Sequence, residues 1–254
     1  SLIKAGANVN ATGPVFGESA LMVAAEANQP ETIRVLIKHG ADVNGQSKKM
    51  EYQPKDRFGL EGVLTILAHG SWTPLMYAAR EGATEAARTL ADAGAKLNQA
   101  DPDGVTALHI AILNSHFDSA ALLVEKGADV NQADSTGMAA LYAAIDMNTL
   151  GEIFGRPGRA STGKLSALDL AKILLDKGAN PNAGLRTSTL QRAHTPGEPT
   201  LGEGATPVAR AARTGDTAAI ELLLKYGADV NQPLKNGTTP LMFATGLGRG
   251  VSAF

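Results

Sequence analysis

Six times along the chain the pattern Gly-Ala-x-x-Asn returns, at Gly6 to Asn10, Gly40 to Asn44, Gly94 to Asn98, Gly127 to Asn131, Gly178 to Asn182 and Gly227 to Asn231. A second pattern, a small residue, then Pro or Ala, then an aliphatic, alternates with it: Ser19-Ala20-Leu21, Thr73-Pro74-Leu75, Thr106-Ala107-Leu108, Ala139-Ala140-Leu141, Thr206-Pro207-Val208 and Thr239-Pro240-Leu241. A unit that recurs at this length is too small to bury its apolar face alone. Neighbouring copies must therefore stack and share one continuous core.

Each unit reads as two helices and a turn. Thr-Pro-Leu starts a helix with Thr as cap and Pro in the first turn, where its missing N–H costs nothing. Ala24-Ala25, Ala78-Ala79 and Ala211-Ala212 then keep that first, inner helix thin. A second, outer helix follows, with apolar residues at helical spacing such as Ile33, Leu36 and Ile37, or Ile220, Leu223 and Leu224. It ends at the glycine of Gly-Ala, a left-handed cap position. Asp101-Pro102-Asp103-Gly104 and Asp134-Ser135-Thr136-Gly137 have the composition of tight reversals between units. The chain is 44% hydrophobic but only 4% aromatic, which favours close-packed helices over a β-sandwich.

These residues resemble the ankyrin repeat, with its period of about 33 residues and its Thr-Pro-Leu-His-x-Ala signature. The resemblance implies an all-α solenoid of helix-turn-helix units with β-hairpin or loop fingers, a single domain over residues 1–254. Repeats are expected at 11–44, 45–98, 99–131, 132–182 and 183–231, with partial repeats at 1–10 and 232–254. The partial ends suggest a piece of a longer array. From the aliphatic residue to the next Gly-Ala glycine the distance is 19 residues in four units, but 37 between Leu141 and Gly178. From glycine to the next aliphatic it is 14 after Gly94, Gly127 and Gly227, but 35 after Gly40 and 30 after Gly178. Three insertions result, near 45–71, 148–165 and 183–204. In the first, Leu60, Val63, Leu64 and Leu67 fit helical spacing, although Val63 to Leu67 fits a strand equally. The third, with Pro196 and Pro199, should be ordered only if neighbours hold it. Enlarged fingers of this kind resemble those of irregular ankyrin proteins from environmental bacteria, which hints at an exported protein.

Catalytic signals are sparse. The stretch Gly158 to Ser166, GRASTGKLS, nearly spells a phosphate-binding loop, but Leu165 stands where Ser or Thr would hold Mg²⁺, and Asn148 to Pro157 do not read as a buried strand. It falls inside the 148–165 insertion, where Arg156, Arg159 and Lys164 make a basic loop open to an acidic neighbour. The resemblance gives His109 a structural role at its helix start, and the same slot holds Met22, Met76, Tyr142, Ala209 and Met242. His39 precedes a cap glycine, and His116 sits at an inter-helix turn where imidazole meets free carbonyls. There is no cysteine, His-x-x-x-His or Gly-x-Ser-x-Gly. No cofactor or metal is expected, and an enzyme would require His69, His194, Glu51 or Asp56 to converge. A formal charge of -2 offers no footprint for nucleic acid, and no apolar run is long enough to span a bilayer.

A binding role follows from the resemblance: ankyrin repeats present a concave surface of inner helices and fingers to a protein or peptide. By register, outward inner-helix positions include Glu26, Arg80, Glu81, Leu113, Asn114, Asp146, Met147 and Arg213, and finger positions include Trp72, Asp103, Val105, Thr136 and Met138. The two finger insertions would wall a groove floored by Arg80, Leu113, Asn114, Asp146 and Met147. Trp72 is either an interface anchor or a cover for the enlarged finger beside it. The alternative role is a passive spacer in a larger secreted or envelope protein. Adding a nucleotide with Mg²⁺ should leave the melting temperature unchanged, because a ligand stabilises only what it binds; a concentration-dependent rise would restore the phosphate-loop reading.

Overall fold

In the computed structural model, residues 2–50, 70–149, 163–189 and 201–246 are described. After a 3-10 turn at Ile3–Ala5 come the helices α1 (Ala20–Glu26), α2 (Pro30–Lys38), α3 (Pro74–Glu81), α4 (Thr84–Asp92), α5 (Ala107–Leu113) and α6 (Phe117–Glu125). They continue as α7 (Ala140–Asn148), α8 (Ala167–Asp176), α9 (Pro207–Thr214), α10 (Thr217–Lys225) and α11 (Pro240–Ala244). The chain forms two compact units, one of residues up to Asp129 with Gly163 and Lys164, the other from Val130 onward without that pair. In the first, α1, α3 and α5 pack in succession as inner helices, with α2, α4 and α6 behind them. In the second, α7, α9 and α11 follow one another, α8 pairs with α7, and α10 pairs with α9.

Each boundary has a local cause. The hydroxyls of Ser19, Thr73, Thr106, Thr206 and Thr239 accept the backbone N–H three residues on, so five inner helices start at a side-chain cap. Pro74, Pro207 and Pro240 occupy the first helical position. At the other end of each outer helix, Gly40, Gly94, Gly127, Gly178 and Gly227 turn left-handed, with φ from 81° to 98°. That turn brings the next alanine's N–H back to a carbonyl of the last helical turn, as in Ala41 to Leu36 and Ala95 to Leu90, both 3.0 Å. Gly-Ala is thus a helix terminator.

The asparagine that closes the motif joins one repeat to the next. Asn10 donates from Nδ2 to the Gly40 carbonyl and accepts at Oδ1 from the Asp42 N–H, both at 2.9 Å. Asn131 does the same to Gly178 and Asn180, at 2.9 and 2.8 Å, and Asn182 to Gly227 and Asp229, at 3.0 and 2.7 Å. Packing contributes more than these bonds do. Leu21, Leu75 and Leu108 are at most 1% exposed, each contributing about 1.5–3 kcal/mol from burial. Fully buried Ala25, Ala78, Ala79 and Ala111 let inner helices approach closely.

Among the described residues the fingers contain no strands; single antiparallel bridges close them, at Thr12 with Ser19, Lys49 with Gly70, Ala100 with Thr106 and Ala133 with Ala139. Buried Asp101 and Asp134 tie their reversals, each Oδ1 accepting from the backbone N–H two and four residues on. Fingers also bond to their neighbours: Lys48 N–H donates to the Phe16 carbonyl, Arg186 N–H to Thr136, and Lys235 N–H to Glu203. At Gly137, φ is +86° and an added Cβ would lie 2.6 Å from the Arg186 nitrogen, so only glycine fits beside the enlarged finger. The base of that finger is held by Arg186 and by the Leu185–Ala205 and Gly204–Leu185 backbone bonds. The insertion residues Leu60, Val63, Leu64, Leu67, Pro196 and Pro199 lie outside the described residues.

Replacing Asn131 by Ala should lower stability by about 1–2 kcal/mol through two lost hydrogen bonds, whereas Asn231→Ala, at an exposed side chain without such a bond among the described residues, should change it by only a few tenths. Gly137→Ala should cost about 2 kcal/mol or more. Chemical denaturation of the three variants checks this ordering.

Candidate partner-binding surface

Counting from each inner-helix cap separates two kinds of position. In α1, α3, α5, α7 and α9 the second, fifth and sixth residues after the cap are buried and small or aliphatic: Leu21, Ala24 and Ala25; Leu75, Ala78 and Ala79; Leu108, Ala111 and Ile112; Leu141, Ala144 and Ile145; Val208, Ala211 and Ala212; in α11 the second, Leu241, is exposed. The fourth position holds Val23, Tyr77, Ile110, Ala143, Arg210 and Phe243, and the seventh holds Glu26, Arg80, Leu113, Asp146 and Arg213. One face of the inner helices is uniform because it packs. The fourth position differs at every repeat although all but Val23 are buried there too, and the seventh holds half-buried charged side chains apart from the buried Leu113.

In the first unit, that variable face carries a connected cluster. The Arg80 guanidinium lies 5.5 Å from the Trp72 ring centroid and 5.3 Å from that of Tyr77. The two rings meet edge to face, with centroids 5.8 Å apart. Arg80 Nη2 donates to Glu26 Oε1 at 2.6 Å, and Nε donates to Glu81 Oε1 at 2.8 Å. One guanidinium therefore sits in a box of two aromatic walls and two carboxylates. Its side chain is still 33% exposed. In such a setting an ion pair contributes about 0.2–1 kcal/mol and a cation–π contact about 0.5–1 kcal/mol, so Arg80 is held lightly.

Trp72 is tied to both neighbouring fingers. Its N–H donates to Ser47 Oγ at 3.0 Å, its carbonyl accepts from the Ser47 N–H at 2.9 Å, and its indole Nε1–H donates to Asp101 Oδ2 at 3.3 Å. The ring is half-buried, which leaves it available for contact. Burial pushes the Asp101 carboxyl above the ordinary carboxylate value, against the opposing pull of the Val105 N–H. Burial likewise pushes the Tyr77 phenol up, with Ser47 hydrogen-bonded to it.

Several expected surface positions are instead covered. Val105 is 2% exposed, Thr136 1%, Met138 3% and Leu113 8%, so none projects as a finger tip or open groove floor. For Thr136 the cause is visible: its carbonyl receives the Arg186 and Thr187 N–H groups, and its hydroxyl donates to Asp134 Oδ1. At Arg186 and Thr187 the stem of the enlarged finger lies against the smaller one. Asn114 is half-buried and donates to the Ile110 carbonyl at 2.8 Å. Glu81 is exposed, and Asp103, Met147 and Arg213 are intermediate. The expected groove floor is divided: Arg80, Leu113 and Asn114 belong to one unit, Asp146 and Met147 to the other.

In the second unit Asp146 is engaged by Arg210, a residue not anticipated from the sequence. The Arg210 side chain is 5% exposed, and its Nε donates to Asp146 Oδ1 while Nη1 is buried without a hydrogen-bond partner. An arginine at the fourth position, where other repeats place Tyr, Ile, Ala, Val or Phe, was the available signal.

Two of the described histidines make structural hydrogen bonds. His109 Nδ1 accepts from the Thr106 N–H at 3.3 Å and lies 2.9 Å from its hydroxyl, locking the start of α5. His116 Nε2 lies 3.0 Å from the Arg80 carbonyl, which accepts only, so that nitrogen carries the proton. His69, His194, Glu51 and Asp56 lie outside the described residues. So do Arg156 and Arg159, but Lys164 is described, and its backbone N–H donates to Asp118 Oδ2 at 2.6 Å. The amide that a phosphate loop would offer to phosphate holds a carboxylate of this chain. On the outer helices, an open depression of about 390 Å³ between α2 and α4 is edged by Arg34, Lys38, Glu85 and Arg88, with no enclosed apolar floor.

Against known families, a model described as "Ankyrin repeats (3 copies)" matches residues 1–101, 54–134, 94–154 and 160–251. The chain belongs to the ankyrin-repeat family. Ankyrin repeats are in general protein–protein interaction modules, and the stacked helix pairs with side-chain caps at five inner helices are those of such an array. Among named relatives, the mouse protein "Ankyrin repeat and SOCS box protein 6" (Mus musculus) is 32% identical over 114 residues, 45% of this chain and 23% of that protein. Its human counterpart (Homo sapiens) is 33% identical over the same shares. "Glycerophosphocholine phosphodiesterase gde1" of Schizosaccharomyces pombe is 31% identical over 119 residues, 47% of this chain but 9% of that protein. This ankyrin chain thus spans less than a quarter of the length of these relatives. Among its described residues no helix is long and apolar enough to cross a membrane, and no group of three His, Asp or Glu side chains is placed to hold a metal ion.

Trp72 is the chain's only tryptophan, so its emission reports this surface directly. Because the fold holds the Asp101 proton more tightly than an exposed aspartate does, emission should titrate with a midpoint above the ordinary 3.8. Asp101→Asn should abolish that inflection; its persistence in the variant would assign it to another carboxylate.

Proposed function

We propose that the chain is a recognition module that binds a segment of a partner protein on the variable inner-helix face of its first unit, without catalysing a reaction. The observation that carries this reading is the contrast between columns: packing positions repeat almost unchanged, whereas Val23, Tyr77 and Ile110, and Glu26, Arg80 and Leu113, differ in size, polarity and charge at each step. Stacking alone would be met by any small or aliphatic set. Trp72, of a residue type enriched among the residues that dominate binding energy at interfaces, lies on this face beside Arg80. Glu81 and Asp103 extend it as a polar rim, and Asn114 continues it along α5. The relatives lend support of a different kind, since similar repeats lie within chains whose printed names refer to a SOCS box in one case and to a phosphodiesterase in the other.

Val105 is a buried support of the finger in this reading. Thr136, Met138, Asp146, Met147 and Arg213 belong to the second unit and are not needed for the first unit's surface.

Selection of displayed peptides on the chain should yield binders that lose at least about tenfold in affinity when Trp72→Ala and Glu81→Ala are combined, the loss of ~1.4 kcal/mol expected of an interface anchor. The same binders should be unaffected by Arg88→Ala on the outer helix α4. Binders indifferent to the inner-face pair, or sensitive only to the α4 change, would overturn the proposal.

A further inference from the structure

We propose that the box around Arg80 is a receptor for a guanidinium group supplied by a basic segment of the partner, with Arg80 as an internal occupant that the partner displaces; this rests on the binding role proposed above. Arginine is the group the box is observed to hold. Trp72 and Tyr77 give it two ring faces at 5.5 and 5.3 Å, and Glu26 and Glu81 each accept one of its N–H groups. Those are the four features that select a planar cation: aromatic faces attract its charge, and carboxylates match its fork of donors. Arg80 fills the box from its own helix through a flexible side chain that remains one-third exposed, so it can swing toward solvent without disturbing the buried Leu75, Ala78 and Ala79 beneath it.

The surrounding charge fixes the sign of the visitor. Arg80 is matched by two carboxylates, and Glu18 and Asp103 add further negative charge close to Tyr77 and Asp101. Lys48, on the adjoining finger stem, turns its ammonium to the Pro14 carbonyl at 2.6 Å. An acidic segment would meet this field with repulsion. A basic one is drawn in, and more so at low salt.

The single tryptophan makes the test direct. The full chain is titrated with a tetra-arginine peptide at low ionic strength, with tetraglutamate of the same length as control, following Trp72 emission. Tetra-arginine should give a saturable change and tetraglutamate none. Arg80→Ala, checked by circular dichroism for an unaltered helix signal, should bind tetra-arginine roughly three- to tenfold more tightly, because the internal competitor is gone. Glu26→Gln with Glu81→Gln should weaken it by about tenfold. Unchanged or weaker binding by folded Arg80→Ala, or an equal response to tetraglutamate, overturns the inference. The two proposals fail separately: selected peptides that need the inner face yet carry no basic residue sink this one alone, and selected peptides that ignore the inner face sink the binding role itself.

Discussion

An asparagine amide that reaches one repeat ahead governs everything else in this molecule. It offers one donor and one acceptor to two backbone groups of the next unit, and thereby sets both the spacing and the register of the stack within each compact unit. Leucine and alanine supply the cohesion, but apolar contact is nondirectional and would tolerate a slipped alignment. Asn10 and Asn131 do not, because both halves of each amide are already spoken for. With the register fixed, α1 and α3 of the first unit bring their seventh positions together, as the Arg80–Glu26 contact shows. The cluster of Trp72, Tyr77, Arg80 and Glu26 exists only because α1 and α3 are held in that alignment.

This division of labour explains why folding and recognition interfere so little. The residues that build the stack face the neighbouring helices and are small or aliphatic. Those that form the candidate surface face the fingers and are free in type. Arg80 belongs to the second class, Ala78 and Ala79 to the first, although all three lie on a single helix within one turn of each other. At Arg210 a charged group stands at the fourth position, buried there like Tyr77 and Ile110, and takes Asp146 as its partner, leaving one guanidinium nitrogen unmatched.

Most of the fold was legible in the sequence because its determinants are local. Thr73 and Pro74 start a helix, and Gly40 stops one, through bonds that span a few residues. The histidines were legible for the same reason: His109 acts on the cap three residues before it. The candidate surface was only half legible. Register placed Arg80 and Trp72 on one face, but the regular pattern assumes fingers of equal length, and so it misplaced Thr136 and Met138 as exposed. Their burial depends on Arg186, fifty residues away in sequence, in a finger that departs from the pattern. Likewise no periodicity could have named Asp118 as the acceptor of the Lys164 backbone N–H.

The enlarged finger after Gly40 is closed at its stem by one bridge, Lys49 with Gly70, on a base fixed through Ser47 to Trp72 and through Lys48 to Phe16. Because the entropic penalty of closing a loop grows only with the logarithm of its length, roughly 0.6 kcal/mol for each doubling, the stem is a natural graft point. Segments of different length and composition can be exchanged there without rewriting the repeats, and each would be delivered at the rim of the Trp72 surface. Such a stem would let the array vary what it displays while its scaffold stays the same.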